Sequence, residues 1–79
     1  MKRDTGYIRT KEELAFAVFC IENAAKELNL PAENVYLALT EKSDILRDYI
    51  LPGYEALHTQ GRDYIVSELL EIMRERGVA

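Results

Sequence analysis

Residues 14–21, LAFAVFCI, form an unbroken apolar run in a chain of only 79 residues. Around them Leu14, Ala17, Val18, Ile21, Ala25 and Leu28 recur at helical spacing, and Phe16, Phe19 and Cys20 widen the stripe until the segment is apolar nearly all round. Thr10 and Glu13 stand at the spacing of a capping box, which places a helix start at Lys11 and predicts a first helix over residues 11–28. Such a helix has to sit at the centre of the core. The run is too short to cross a bilayer, which takes about twenty residues.

The remaining chain reads as further helices. Pro31 cannot continue the first helix but suits the first turn of a second, over residues 31–41, with Val35 and Leu39 facing inward. Ser43 is placed to cap a short third helix over residues 44–51, with Ile45, Leu46, Tyr49 and Ile50 on one face and Pro52-Gly53 ending it. Thr59 precedes an amphipathic run in which Ile65, Leu69, Ile72 and Met73 share a stripe, so Thr59 is the expected N-cap of the last helix, and Gly77 its terminator. Nowhere do apolar and polar residues alternate as in a strand. The expected fold is all-α: a compact bundle of about four helices, the long first and last packed together with two shorter ones between. Residues 1–10 read as a basic, flexible leader and residues 11–79 as a single helical domain.

Charge and cysteine usage narrow the function classes. Residues 1–11 carry four basic side chains and one acidic, whereas the rest carries six basic and thirteen acidic, a net −7. Such a body repels a phosphate backbone, so no nucleic-acid partner is expected. One cysteine permits no internal disulfide and offers too few sulfur ligands for a structural zinc site, and residues 1–13 do not read as a secretory signal. A cytoplasmic protein without membrane association is expected. A core this small also favours association with a second copy or another protein.

Two stretches, "FAVFCIENAA" (residues 16–25) and "LPGYEALHTQGRDYIVSEL" (residues 51–69), resemble small bacterial proteins of the domain-of-unknown-function family 3791. The resemblance covers roughly residues 12–77 and is carried by Phe19, Cys20, Ile21 and Glu22, then Tyr54, Leu57, His58, Thr59, Gln60, Tyr64, Ile65 and Val66; Ser67 stands where an acidic residue belongs to the pattern. What the resemblance implies is a bacterial setting and gene neighbours encoding ADP-ribosyltransferase-like proteins, as toxin and antitoxin genes neighbour one another. It implies no activity.

Individual residues offer chemistry of unequal weight. His58 has the chemistry of a general base, yet no nucleophile or orienting carboxylate lies near it in sequence, and a local role at the helix entrance is favoured. Cys20 would pair with His58 in a cysteine hydrolase, but its neighbours Phe19 and Ile21 mark it as a small core residue. The pairs Asp44/Asp48 and Glu71/Glu75 offer too few ligands for a metal and read as solvated faces. Isolated glycines and "HTQG" make no phosphate cradle, so neither a metal nor a cofactor is expected. Tyr36, Tyr49, Tyr54 and Tyr64 are read as walls of the core before interface residues. The function expected is protein–protein interaction, antitoxin-like, with an ADP-ribosyltransferase-like protein as the suggested partner. Its contact residues are expected at Tyr54, His58, Gln60 and Arg62; a small enzyme using His58 with Cys20 or a tyrosine is the alternative, and a DNA-binding regulator a weaker one.

Overall fold

The computed structural model describes residues 8–78. Among them the chain forms α1 (Lys11–Leu28), α2 (Ala32–Thr40), a π-helical turn (Leu46–Ile50), α3 (Tyr54–Leu57) and α4 (Arg62–Glu75), and no strand. The protein is all-α. The long first and last helices pack together, α2 lies against α1, and the π-helical turn lies against α2. Of the leader expected over residues 1–10, residues 1–7 lie outside the described residues, while Ile8 is half-buried against the core.

The first helix begins where the capping spacing places it. Thr10 Oγ1 accepts the Glu13 amide at 3.0 Å, and the Glu13 carboxylate accepts the Arg9 amide at 2.9 Å, one residue earlier than in a standard box. It ends at Asn29, whose left-handed conformation (φ 58°) turns its amide and that of Leu30 back onto the last carbonyls of the helix. The face it buries differs from the expected one. Phe16, Ala17, Cys20, Ala24 and Ala25 are buried, whereas Leu14 is 51% and Val18 41% exposed. A helix that is apolar on nearly every side does not itself say which side turns inward; the position of its neighbours decides.

The second helix follows expectation, with Pro31 at its N-cap and Val35, Ala38 and Leu39 buried. The third element does not. Ser43 Oγ accepts the Ile45 amide at 3.3 Å as a cap should, but the backbone then widens into π geometry, with the Leu51 amide reaching the Leu46 carbonyl at 3.0 Å. Ile45, Leu46, Ile50 and Leu51 are all buried there. Nor do Pro52 and Gly53 end the helical path, since the Gly53 amide still bonds the Tyr49 carbonyl at 3.0 Å and the chain proceeds into α3, an element not anticipated.

The expected cap of the last helix is also displaced. Thr59 is not the N-cap: its hydroxyl donates to the Ala56 carbonyl at 3.3 Å and the Gln60 amide to the Leu57 carbonyl at 2.9 Å, so both residues close α3. Gly61 takes the cap position without a side chain to offer, and α4 starts at Arg62. Ile65, Val66, Leu69 and Met73 form its buried face, with Ile72 half-buried. At its end Gly77, at φ 74°, lets its own amide meet the Arg74 carbonyl and the Val78 amide meet the Met73 carbonyl, the paired bonds of a Schellman motif.

The glycines give opposite expectations. A Cβ at Gly53 would lie 2.8 Å from the Tyr49 carbonyl oxygen and 3.0 Å from Leu57 Cδ1, so Gly53→Ala is expected to cost about 1–3 kcal/mol through forced backbone movement. At Gly61 the space is open, and Gly61→Ser adds a capping oxygen, for a gain of about 0.5 kcal/mol. Thr59→Ala should stay within about 0.5 kcal/mol of the wild type. Urea unfolding of the three variants measures this order; a Thr59→Ala loss exceeding that of Gly53→Ala would return the cap to Thr59.

Candidate functional site

Two stretches far apart in sequence meet on one side of the molecule. Phe16 is buried on α1 and stacks with half-buried Phe19 at 6.4 Å between ring centroids; the Tyr54 ring of α3 meets Phe16 edge-on at 5.5 Å and 75°. One helical turn later His58 lies parallel to Tyr54, with centroids 4.4 Å apart and planes at 11°. The result is a ladder of rings that starts in the core and ends in solvent, because His58 is exposed. His58 Nδ1 lies 2.6 Å from the Tyr54 carbonyl, which can only accept, so Nδ1 is the donor of this contact, and in the neutral tautomer it selects Nε2 is the acceptor.

Beside the ladder, Arg62 fastens α4 to α1. Its Nε donates to Asn23 Oδ1 at 2.7 Å and its terminal nitrogens to Glu27 at 3.1 Å and Asp63 at 2.9 Å. Asn23 in turn donates through Nδ2 to the Phe19 carbonyl at 2.8 Å, so the bridge and the ladder share a turn of α1. Donating to Glu27 and Asp63 pushes the Arg62 guanidinium above its ordinary range. Of the four expected contact residues, Tyr54 is half-buried and stacked, His58 and Gln60 are exposed, and Arg62 spends its donors within the chain. Phe16, Phe19, Asn23 and Glu27 were not singled out as site residues. The spacing of Phe16, Phe19, Asn23 and Glu27 at three and four residues along one helix was the signal that could have found them.

Other candidates stand apart from this face. Cys20 is 1% exposed, and burial pushes its thiol up to about 12. The described contacts join His58 to Tyr54 rather than to Cys20. Tyr49 is half-buried, its hydroxyl pushed up by desolvation and then by the nearness of Glu68 and Tyr64. Tyr64 departs from the core role expected of the tyrosines, being 51% exposed. Among the described residues no three His, Cys, Asp or Glu side chains gather to hold a metal ion; Asp44 and Asp48 flank Arg47 instead, at 3.2 and 3.1 Å. A groove of about 270 Å³ between the start of α1 and the π-helical turn is lined by Arg9, Glu13, Arg47, Leu51 and Pro52. No helix among the described residues is long and apolar enough to cross a membrane.

An all-α fold whose aromatic ladder joins α1 to the segment before α4 is what the two matching stretches build together. Over residues 15–76 the chain matches the family described as "Protein of unknown function (DUF3791)", and it belongs to that family. Neither the curated proteins nor the solved structures contain a match to it.

The state of Cys20 makes a measurable expectation. Native protein should resist a thiol reagent at neutral pH and react on unfolding, because the buried site disfavours the thiolate. The unfolded thiol ionises near 9.0 and the folded one near 12, so above pH 9.0 the unfolded state loses protons first. The stabilisation is therefore complete below pH 9.0 and is lost as the pH rises towards about 12. Cys20→Ala should flatten this decline while leaving the part due to Tyr49. A decline equally steep in the variant, or rapid native labelling, contradicts the burial argument.

Proposed function

We propose that this chain is a protein-interaction module of the bacterial cytoplasm that binds a partner encoded nearby and regulates or neutralises it, as an antitoxin does. The observation that carries this reading is the exposed His58 ring stacked on Tyr54, which is itself braced against buried Phe16. Aromatic side chains held rigid by packing lose little freedom on binding and so make good anchors for a partner. Tyr54, His58 and Gln60 form the proposed contact surface, and Arg62 holds its supporting helices together.

Cys20, buried and neutral, takes the cysteine nucleophile from the enzyme reading, and the acidic body gives nucleic acid no counterpart. The resemblance to bacterial relatives makes an ADP-ribosyltransferase-like protein the partner we favour. Association of two copies of the chain is compatible with this role, since Leu14 and Val18 leave apolar surface on α1 outside the site.

Co-expression with the protein of the neighbouring gene, followed by size-exclusion chromatography, tests the pairing. A joint peak is expected, with Tyr54→Ala weakening the complex by about 2 kcal/mol, roughly thirtyfold, as for a central aromatic contact. His58→Ala should act in the same direction, with circular dichroism showing the helices retained. Separate elution of the two folded proteins would sink the proposal.

A further inference from the structure

We infer that the partner offers this face a cationic segment carrying an arginine. The inference rests on the interaction reading above and adds the chemistry of what is bound. Its first ground is the ring stack: His58 and Tyr54 lie parallel at 4.4 Å with Phe16 behind them, and a guanidinium plane stacks on such a surface with a gain that grows as water is removed. Its second is the tautomer. With Nδ1 donating to the Tyr54 carbonyl, Nε2 is the ring nitrogen left for a partner, and in the neutral tautomer it accepts, matched by an arginine, which has only donors.

Charge around the rings supplies the third ground. Glu55 lies three residues before His58, Glu12 lies four before Phe16, and Glu22 lies three after Phe19, each within one helical turn of a ladder ring. All three are exposed, and among the described residues none has an ion pair or hydrogen-bond partner. Arg62 does not neutralise them, because Glu27 and Asp63 hold it. The other cations of α1 are Lys11, next to Glu12, and Lys26, one turn beyond Glu22, and neither forms an ion pair with these carboxylates among the described residues. Unpaired carboxylates around an aromatic platform attract a basic segment and repel an acidic one.

Titration of isotopically labelled protein with three capped pentapeptides, Gly-Arg-Gly-Arg-Gly and its lysine and glutamate counterparts, tests this by NMR. Expected are saturable shifts at His58, Tyr54 and Glu55 that weaken with salt, strongest for the arginine peptide and absent for the glutamate one. His58→Ala and Glu55→Gln should each weaken that binding roughly threefold, as for a partly exposed cation–π contact. Glu71→Gln, an equally exposed carboxylate on α4, should leave it unchanged. Equal loss with Glu71→Gln, equal response to the lysine peptide, or shifts spread over α4 would reduce the effect to net charge and overturn the inference. Self-association of the free protein that disappears in Glu55→Gln would assign the face to the basic residues of a second copy instead. Should the neighbouring protein co-elute in a Tyr54-dependent manner while Glu55→Gln and added salt change nothing, the interaction reading stands and the cationic partner falls.

Discussion

Covering α1 is the constraint on which the rest of the structure depends, because a helix apolar nearly all round must be surrounded and the chain has little with which to surround it. Among the described elements, only α2 and α4 pack extensively against α1. They meet the side that carries Ala17, Ala24 and Ala25 as well as Phe16 and Cys20, where small side chains let helix axes approach closely. At the flank of that side, next to Ala25 on the helical wheel, Leu14 and Val18 stay in contact with solvent. Choosing a face is thus a consequence of limited length, and it determines which residues are left for the surface.

The segment between α2 and α4 turns this packing into the candidate site. By widening to π geometry before Pro52 and continuing helically through Gly53, it brings Tyr54 to the edge of Phe16 and raises His58 one turn further out. Gly53 is what allows so close a passage over Tyr49. Arg62 then fixes where α4 departs, by holding Asn23 and Glu27 of α1. Ladder and bridge share a turn of α1, so the exposed ring of His58 is positioned by the core rather than by a free loop.

Much of the architecture was legible in the residues. Thr10 and Glu13 mark the start of α1, Pro31 the start of α2 and Gly77 the end of α4, because each acts through backbone groups only a few positions away. The site was legible only in part. Tyr54 and His58 stand at helical spacing, but their tie to Phe16 spans 38 positions, and that of Arg62 to Asn23 spans 39. Thr59 misled because a threonine between two helical runs can close one or open the other, and the local pattern reads alike in both cases.

The sequence by itself determined that the protein is helical, where α1 and α2 begin and end and where α4 ends, and that residues 14–21 lie in the middle of the longest helix. These follow from periodicity and capping, which act over one or two turns of backbone. Tertiary structure alone decided which side of α1 is buried, that the third element widens to π geometry, and that Arg62 is held within the fold while His58 faces outward. The physical reason is that burial depends on which neighbours reach a surface, and with several apolar faces competing for the same few partners, only the assembled packing selects among them.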